Sequence, residues 1–470
     1  MRHRTLSALG AAALAAVVGL VALLPPASAA PAAGGYAAAS PEYGMSVFVY
    51  GNAGSTSRDL GKLQALGFGW QKSLFPWRDI EGGCKGCFNW SEADRVVQAS
   101  ADAGLKIIAR LDFQPKWARK DGASNGPPDN YQDYADFVRA FVYRYKTGSP
   151  IGTVQAIEVW NEINLDREWG GGPINRQSAA DYVRFLSLAY KAAKKADPGV
   201  TVISAGLSPT GVSSDSAQPD DVYLQWLFDS GLKGNYDVLG ANANVQCPCV
   251  EADPGSVGGF GHPSFYFRRI EQLRDIMVAK GDADKQVWLM EFGWTTDQVH
   301  PSYSWYATSE DKKSDLIVQA FKFANQRWAP WIGVMTLWTV ADPNWGPQDE
   351  QVWWSVTNPD GTTRPAYDRL LQARTLGDLP HLAAGPAAAP GPAAAADPAS
   401  GRLRVAGTEG ANLVLRAAPS TTAARLKGLA PGTLLVDTGG VQQSEGRDWR
   451  SVRDPDGTEG WVAADFVEPA

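Results

Sequence analysis

The chain has no excess of positive charge. Its formal net charge is −7, so nothing in its composition advertises a nucleic-acid partner, and mild acidity serves solubility. Past its N-terminus it lacks any apolar run long enough to cross a membrane. It shows no metal-ligand cluster and no phosphate-cradling loop, and no cofactor is expected. Cysteine is scarce, with Cys84, Cys87, Cys247 and Cys249 making up all 4. The pairs in Cys84-Lys-Gly-Cys87 and Cys247-Pro-Cys249 have the look of metal ligands, but in an exported chain they favour disulfides. Four cysteines allow three pairings. Local pairing is the simplest, and a cross-loop pairing stays open.

What is present is globular. Charged residues are 20% of the 470, hydrophobics 44% and aromatics 10%, with 18 Trp. That excludes a disordered chain and exceeds what one domain usually needs. Trp usually fills cores, but exposed flat rings also stack on sugar faces. The N-terminus reads as a secretory signal over 1–29. Arg2, His3 and Arg4 precede an apolar run from Leu6 to Leu24, Pro25-Pro26 breaks it, and Ala27-Ser28-Ala29 fits a cleavage site. The alternative is an uncleaved anchor. Secretion is the expectation, with no stable membrane insertion once the signal is removed. A second boundary lies at 383–401, almost all Ala, Pro and Gly, which reads as a semi-rigid linker. It separates a domain at 30–382 from one at 402–470.

The larger domain alternates strand and helix signals. Eight apolar runs read as strands: Met45–Tyr50, Trp70–Leu74, Lys106–Asp112, Val154–Trp160, Thr201–Leu207, Tyr236–Ala241, Val287–Met290 and Gly333–Trp338. Helical patterns lie between them at Asn89–Ala103, Asp133–Tyr145, Ser178–Ala196 (with Ser178 as cap), Phe265–Lys280 and Lys312–Gln326. The order implies an α/β fold, a (β/α)8 TIM barrel, rather than a doubly wound open sheet.

In such a barrel, chemistry sits at the C-terminal strand ends. Asp112, Asn242, Asn244, Trp338 and Asp342 stand there. So do two glutamates, Glu162 after the fourth strand and Glu291 after the seventh. A glutamate after a strand is more often a salt-bridge or cap residue. Two facing one cavity with aromatic walls suit glycosidic bond cleavage, where one carboxyl donates a proton and the other attacks or activates water.

Trp160-Asn161-Glu162 and Glu291-Phe292-Gly293-Trp294 resemble the signature of clan A glycoside hydrolases. Phe75-Pro-Trp-Arg-Asp-Ile-Glu81, Pro115-Lys-Trp-Ala118 and Asn358 to Tyr367 look like secreted cellulase-like members near families 39 and 5. The resemblance covers roughly 40–375. It implies a retaining double displacement, with Glu291 as nucleophile and Glu162 as acid, then base. It makes Asn161 the grip on the sugar 2-hydroxyl and Trp338 the platform under the reacting sugar. The carboxyls of a retaining pair lie about 5–5.5 Å apart. Trp117, Trp169, Trp294 and Trp345 are further aromatics for a cleft, each with barrel core as its bland alternative.

Two departures from the family pattern bear on substrate choice and rate. Lys72 stands where clan members often carry an arginine, and lysine lacks the bidentate fork. Asn242-Ala-Asn244 replaces a His-x-Tyr element, which leaves Tyr266 and His262 as weak substitutes. The substrate expected is a polysaccharide or oligosaccharide, with endo attack slightly favoured by the Trp-rich strand tips.

Residues 402–470 read as short strands and turns. Asn412 to Ser420, Pro431 to Leu434, Asp448 to Val452 and Gly460 to Ala463 resemble a bacterial SH3-like domain, an all-β barrel. That resemblance implies a cell-wall ligand or a spacer role, with Trp449 and Trp461 more suited to its core. The alternative functions are a cell-envelope glycan hydrolase tethered by this module, and a carbohydrate-binding protein without turnover.

Overall fold

The computed structural model describes residues 38–123, 125–255, 262–382, 402–408, 412–444, 446–455 and 457–469. The signal expected at 1–29 and the linker expected at 383–401 lie outside them. The chain divides into two compact units, Met1–Ala389 and Pro390–Ala470.

The first unit is a parallel eight-stranded barrel with helices between its strands. The strands are β1 Glu42–Ser46, β2 Trp70–Leu74, β3 Lys106–Leu111, β4 Ala156–Val159, β5 Thr201–Ser204, β6 Leu239–Asn244, β7 Val287–Gly293 and β8 Ile332–Leu337. Their order is β5-β4-β3-β2-β1-β8-β7-β6. Single parallel bridges, Ile203 to Val238 and Leu207 to Ala241, bring the two edges together. At this seam Ser204 N donates to Val238 O at 3.1 Å and Asn242 N to Leu207 O at 3.2 Å. The strands are buried on both faces, which is why they read as apolar runs.

Differences from expectation in three of the strands place the site. β1 starts at Glu42, because Glu42 to Met45 pair with Val334 to Leu337, and residues 47–50 run on outside the sheet. β6 ends at Asn244 and β7 at Gly293. Asn242, Asn244 and Glu291 therefore lie inside strands and not after them. The helix Arg176–Ala196 is capped by Asn175 and not Ser178. The Asn175 side chain accepts from Gln177 N and Ser178 N, and Ser178 Oγ accepts from Asn175 N, a capping box.

The lumen is stacked in layers, as alternation along the strands requires. Trp70, Ile108, Ala156, Ile203, Val238, Trp288, Met290 and Val334 form an apolar cluster of their own. Two residues further along the same strands come Lys72, Arg110 and Glu158, so the next layer is charged. Cys84 is paired with Cys87 and Cys247 with Cys249, the local pattern.

The second unit is a seven-stranded antiparallel sheet. It contains β9 Arg402–Val405, β10 Leu413–Arg416, β11 Arg425–Leu429, β12 Leu434–Ser444, β13 Arg447–Arg453, β14 Glu459–Ala463 and β15 Val467–Pro469, in the order β11-β10-β14-β13-β12-β9-β15. Leu403, Val405, Leu413, Leu415, Leu429, Leu435, Val452 and Val462 form its core. Trp449 is buried and Trp461 half-buried. Among the described residues no helix is long and apolar enough to cross a membrane.

Candidate active site

Strict alternation would turn Glu291 away from the lumen. Leu289, two residues before it, packs in the outer core, whereas Trp288 and Met290 point inward. A bulge changes this. Leu289 pairs with Ala241, but the next partner of Asn242 is Glu291, so β7 carries one extra residue. A bulge re-aims the side chain after it, and Glu291 comes into reach of the charged layer.

Glu162 is placed by backbone conformations that side chains avoid. Trp160 has φ 71° and Glu162 φ 42°, both in the left-handed region that costs a bulky residue free energy. Trp160 turns outward, where its Nε1 donates to Glu168 O at 2.7 Å. Glu162 N donates to Gly206 O at 3.0 Å, tying the β4 tip to the residues after β5. Gly206 is required here, since a Cβ would lie 2.4 Å from Asn242 Oδ1 and 3.2 Å from Glu158 Oε1. That space lets Asn242 Nδ2 donate to Glu162 Oε1 at 3.1 Å. Arg167, on the short helical turn Asp166–Glu168, donates from Nη2 to Glu162 Oε2, also at 3.1 Å.

A buried shell of charge surrounds Glu291. Lys72 Nζ lies 3.1 Å from Glu158 Oε2 and 3.3 Å from Glu291 Oε1. Arg110 Nη1 is 3.7 Å from the same Glu291 oxygen, and its Nε is 2.9 Å from Asp112 Oδ2. Burial pushes the Glu291 carboxyl up, Lys72 pulls it down, Glu162 pushes it up again, and the net shift is upward. Asp112 is raised by burial against the pull of Arg110. For Arg110, burial favours the neutral form, but Asp112, Glu291 and Glu158 outweigh it and hold the guanidinium charged.

Glu162 and Glu291 line one cavity of about 220 Å³ at the C-terminal mouth of the barrel. Tyr303, Tyr306, Trp338 and Trp354 form its aromatic wall, and Arg167, Asn244 and Glu350 add polar groups. Trp338 is held by a hydrogen bond from its Nε1 to Gln351 Oε1 at 2.8 Å. The Tyr303 and Trp354 rings meet edge-on at 6.3 Å.

The other expected site residues divide. Lys72 and Asn242 touch the two glutamates directly. Asn161 is buried beside Glu162, and its Oδ1 accepts no hydrogen bond. Trp294 is 1% exposed and donates to Cys247 O, in a core with Phe267. Trp117 donates to Glu81 O and meets Trp77 edge-on, away from the cavity lining. Trp169 packs among Trp160, Tyr182 and Phe185. Trp345 meets Phe48 beside Trp338. Tyr266 is buried outside the lining, and His262 accepts from Ser264 N.

Sequence reasoning missed Arg110, Glu158, Arg167, Glu168 and the rim residues Tyr303, Tyr306, Glu350 and Trp354. Arg110 and Glu158 had a signal, a charge inside an otherwise apolar parallel strand. Among the described residues no group of His, Cys, Asp or Glu is arranged to hold a metal ion.

Fold and site together define a (β/α)8 barrel with a carboxylate pair at its mouth, followed by a small all-β unit. Among solved structures, the chain is similar to a family 39 glycoside hydrolase from Bacteroides cellulosilyticus, with TM-score 0.54 and 14% identity over 91% of this chain and 81% of the other. It is also similar to a family 5 subfamily 18 glycoside hydrolase from Streptomyces cattleya, solved in complex with GlcNAc, with TM-score 0.53 and 14% identity over 74% of this chain and 83% of the other. At that identity the likeness establishes the fold. Residues 409–468 match the bacterial SH3 domain family. No curated protein matches the chain.

Proposed function

We propose that the protein is a retaining β-glycoside hydrolase acting on a polysaccharide or oligosaccharide. The observation that carries this reading is that Glu162 and Glu291 line the same aromatic-walled cavity at the barrel mouth. Glu291 attacks the anomeric carbon while Glu162 protonates the departing oxygen, and the glycosidic bond breaks. In the second step Glu162 takes a proton from water, whose oxygen displaces Glu291 with net retention. Lys72 and Arg110 favour the ionised nucleophile against its burial. The open acceptor on Asn161 suits a sugar hydroxyl. Trp338, on the cavity wall, supplies a flat ring for the reacting sugar.

The test is release of product from a panel of β-linked glycans by the full chain, beside Glu291→Gln. Turnover by the wild type, with a covalent adduct on Glu291 from a 2-fluoro glycoside, supports the reading. Sugar binding by both proteins with no turnover from any glycan would replace it with a binding function.

The match of residues 409–468 to a bacterial SH3 domain favours a second reading of the substrate, a cell-envelope glycan with that unit as tether. Secretion follows from the N-terminal pattern and suits the two disulfides. Co-sedimentation with purified cell walls, compared with plant β-glucan, separates the two substrates. Mass spectrometry of protein from culture medium checks cleavage after Ala29.

A further inference from the structure

Arg167 stands on the cavity wall between two carboxylates. Its Nη2 donates to Glu162 Oε2 at 3.1 Å, and its Nε lies 3.6 Å from Glu168 Oε1. The partners differ in freedom. The Arg167 side chain is 69% exposed, against 7% for Glu162 and 18% for Glu168. The exposed arginine has room to swing toward water. The buried carboxylates cannot follow it into water.

Hydrolysis makes the resting contact awkward. Glu162 Oε1 accepts from Asn242 and Oε2 accepts from Arg167, so both oxygens face donors. That suits a carboxylate, the form that activates water. It does not suit a proton donor, which needs one oxygen carrying hydrogen and turned to the leaving group. Arg167 also lines the cavity, so an entering sugar ring competes with it for space. Glu168 offers the displaced guanidinium a second partner. Burial first, and then Glu162, push the Glu168 carboxyl up to about 7 against the pull of Arg110 and Arg167, so a guanidinium that moves closer favours its ionised form.

Charged groups face Glu162 from two elements among the described residues. Glu291 comes from β7, and Arg167 and Glu168 come from the loop after β4. Asn242 from β6 is neutral, and Lys72 and Arg110 act on Glu291. At the rim Tyr303 acts on Arg167, and Glu350 accepts from Tyr303.

We propose, resting on the glycosidase reading, that Arg167 is a positioning residue with two seats: it holds Glu162 as a carboxylate in the empty site, moves to Glu168 when a sugar enters, and returns for the water step. The proton that Glu162 gains comes from solvent. It leaves on the aglycone hydroxyl as the glycosidic C–O bond breaks and the bond to Glu291 forms.

The test compares Arg167→Met and Arg167→Lys with wild type in the full chain, by two readouts. The first is carboxyl ¹³C NMR of glutamate-labelled protein, with the Glu162 signal identified by its loss in Glu162→Gln. In Arg167→Met that signal stays protonated to higher pH than in wild type, and Arg167→Lys restores the wild-type curve. The second is kinetic, on whichever 4-nitrophenyl β-glycoside the wild type cleaves. The alkaline limb of kcat/KM moves up by about one pH unit in Arg167→Met. With a dinitrophenyl leaving group, kcat, then limited by the water step, falls by about 10-fold. A purely structural role would lower activity without moving the limb or the NMR curve. An unchanged Glu162 titration in Arg167→Met overturns the proposal, whether or not the protein turns over any glycoside. Sugar binding by the wild type with no turnover of any glycoside would instead overturn the glycosidase reading.

Discussion

Lys72 serves two masters. It lies within 3.3 Å of both Glu158 and Glu291 in a layer closed to solvent. Burial raises the Glu291 carboxyl and Lys72 opposes that rise. Removing the ammonium therefore raises it further, and the ionised form of Glu291, the nucleophile in the mechanism proposed above, is lost at a higher pH. In Lys72→Met the acid limb of kcat/KM should move up by about one unit or more, measured on a glycoside with a good leaving group. The same change leaves buried carboxylates short of a cation, so urea unfolding should show a loss of about 3–5 kcal/mol. Glu168 gives a second dependence with the opposite benefit. Its carboxyl is raised from 4.5 to about 7 in the folded chain. Between those values the folded state binds more protons than the unfolded one, so this group lowers stability as pH rises. Glu168→Gln keeps an acceptor for Asn125 Nδ2 and removes the ionisation. Its melting temperature relative to wild type should climb between pH 4.5 and 7 and level off above. A constant difference across that range would sink this account.

Two glycines set how β5 and β6 meet, and they separate chemistry from stability. At Gly206 a Cβ would displace Asn242 from Glu162. Gly206→Ala should therefore reduce turnover more than it reduces the melting temperature, as kinetics and thermal melts on one preparation would show. At Gly240 a Cβ would sit 2.2 Å from Ser204 O, which is backbone. Gly240→Ala has to push the seam apart, at a cost of about 1–3 kcal/mol, read as a lower denaturant midpoint. The elements themselves were largely legible. β2 runs over Trp70–Leu74 as its apolar pattern indicates, and β8 is displaced by one residue from its expected span. β6 was misplaced because Asn242, Ala243 and Asn244 are poor strand formers by propensity, held in the sheet by pairing with β7. The bulge in β7 left no mark in composition, so Glu291 was found through its motif while the reason it points inward was not. Trp294 shares that motif yet packs in the core. A sequence pattern fixes neighbours along the chain more firmly than the direction a ring faces.

The chain builds two separate cores. The barrel packs around its helices and lumen, and the all-β unit packs around Leu415, Val452 and Val462. Scanning calorimetry should resolve two transitions. Leu415→Ala should lower the smaller one by an amount equivalent to about 2–5 kcal/mol and leave the larger in place. A shift of both would mean that the units do not unfold independently. Neither core could be drawn residue by residue from the sequence, where the Ala-, Pro- and Gly-rich composition of 383–401 was the signal for expecting two.

The apolar layer beneath the charged one has a consequence for traffic. Trp70 and Trp288 meet at 5.2 Å, fully buried, at the N-terminal end of the lumen. The barrel is a vessel with a sealed base. On the double displacement proposed above, the water that frees the sugar from Glu291 enters by the route the first product used to leave. A product that lingers at the mouth stands where that water must stand. Its hydroxyl then competes as acceptor, and the ratio of transfer to hydrolysis is set by how quickly the mouth empties.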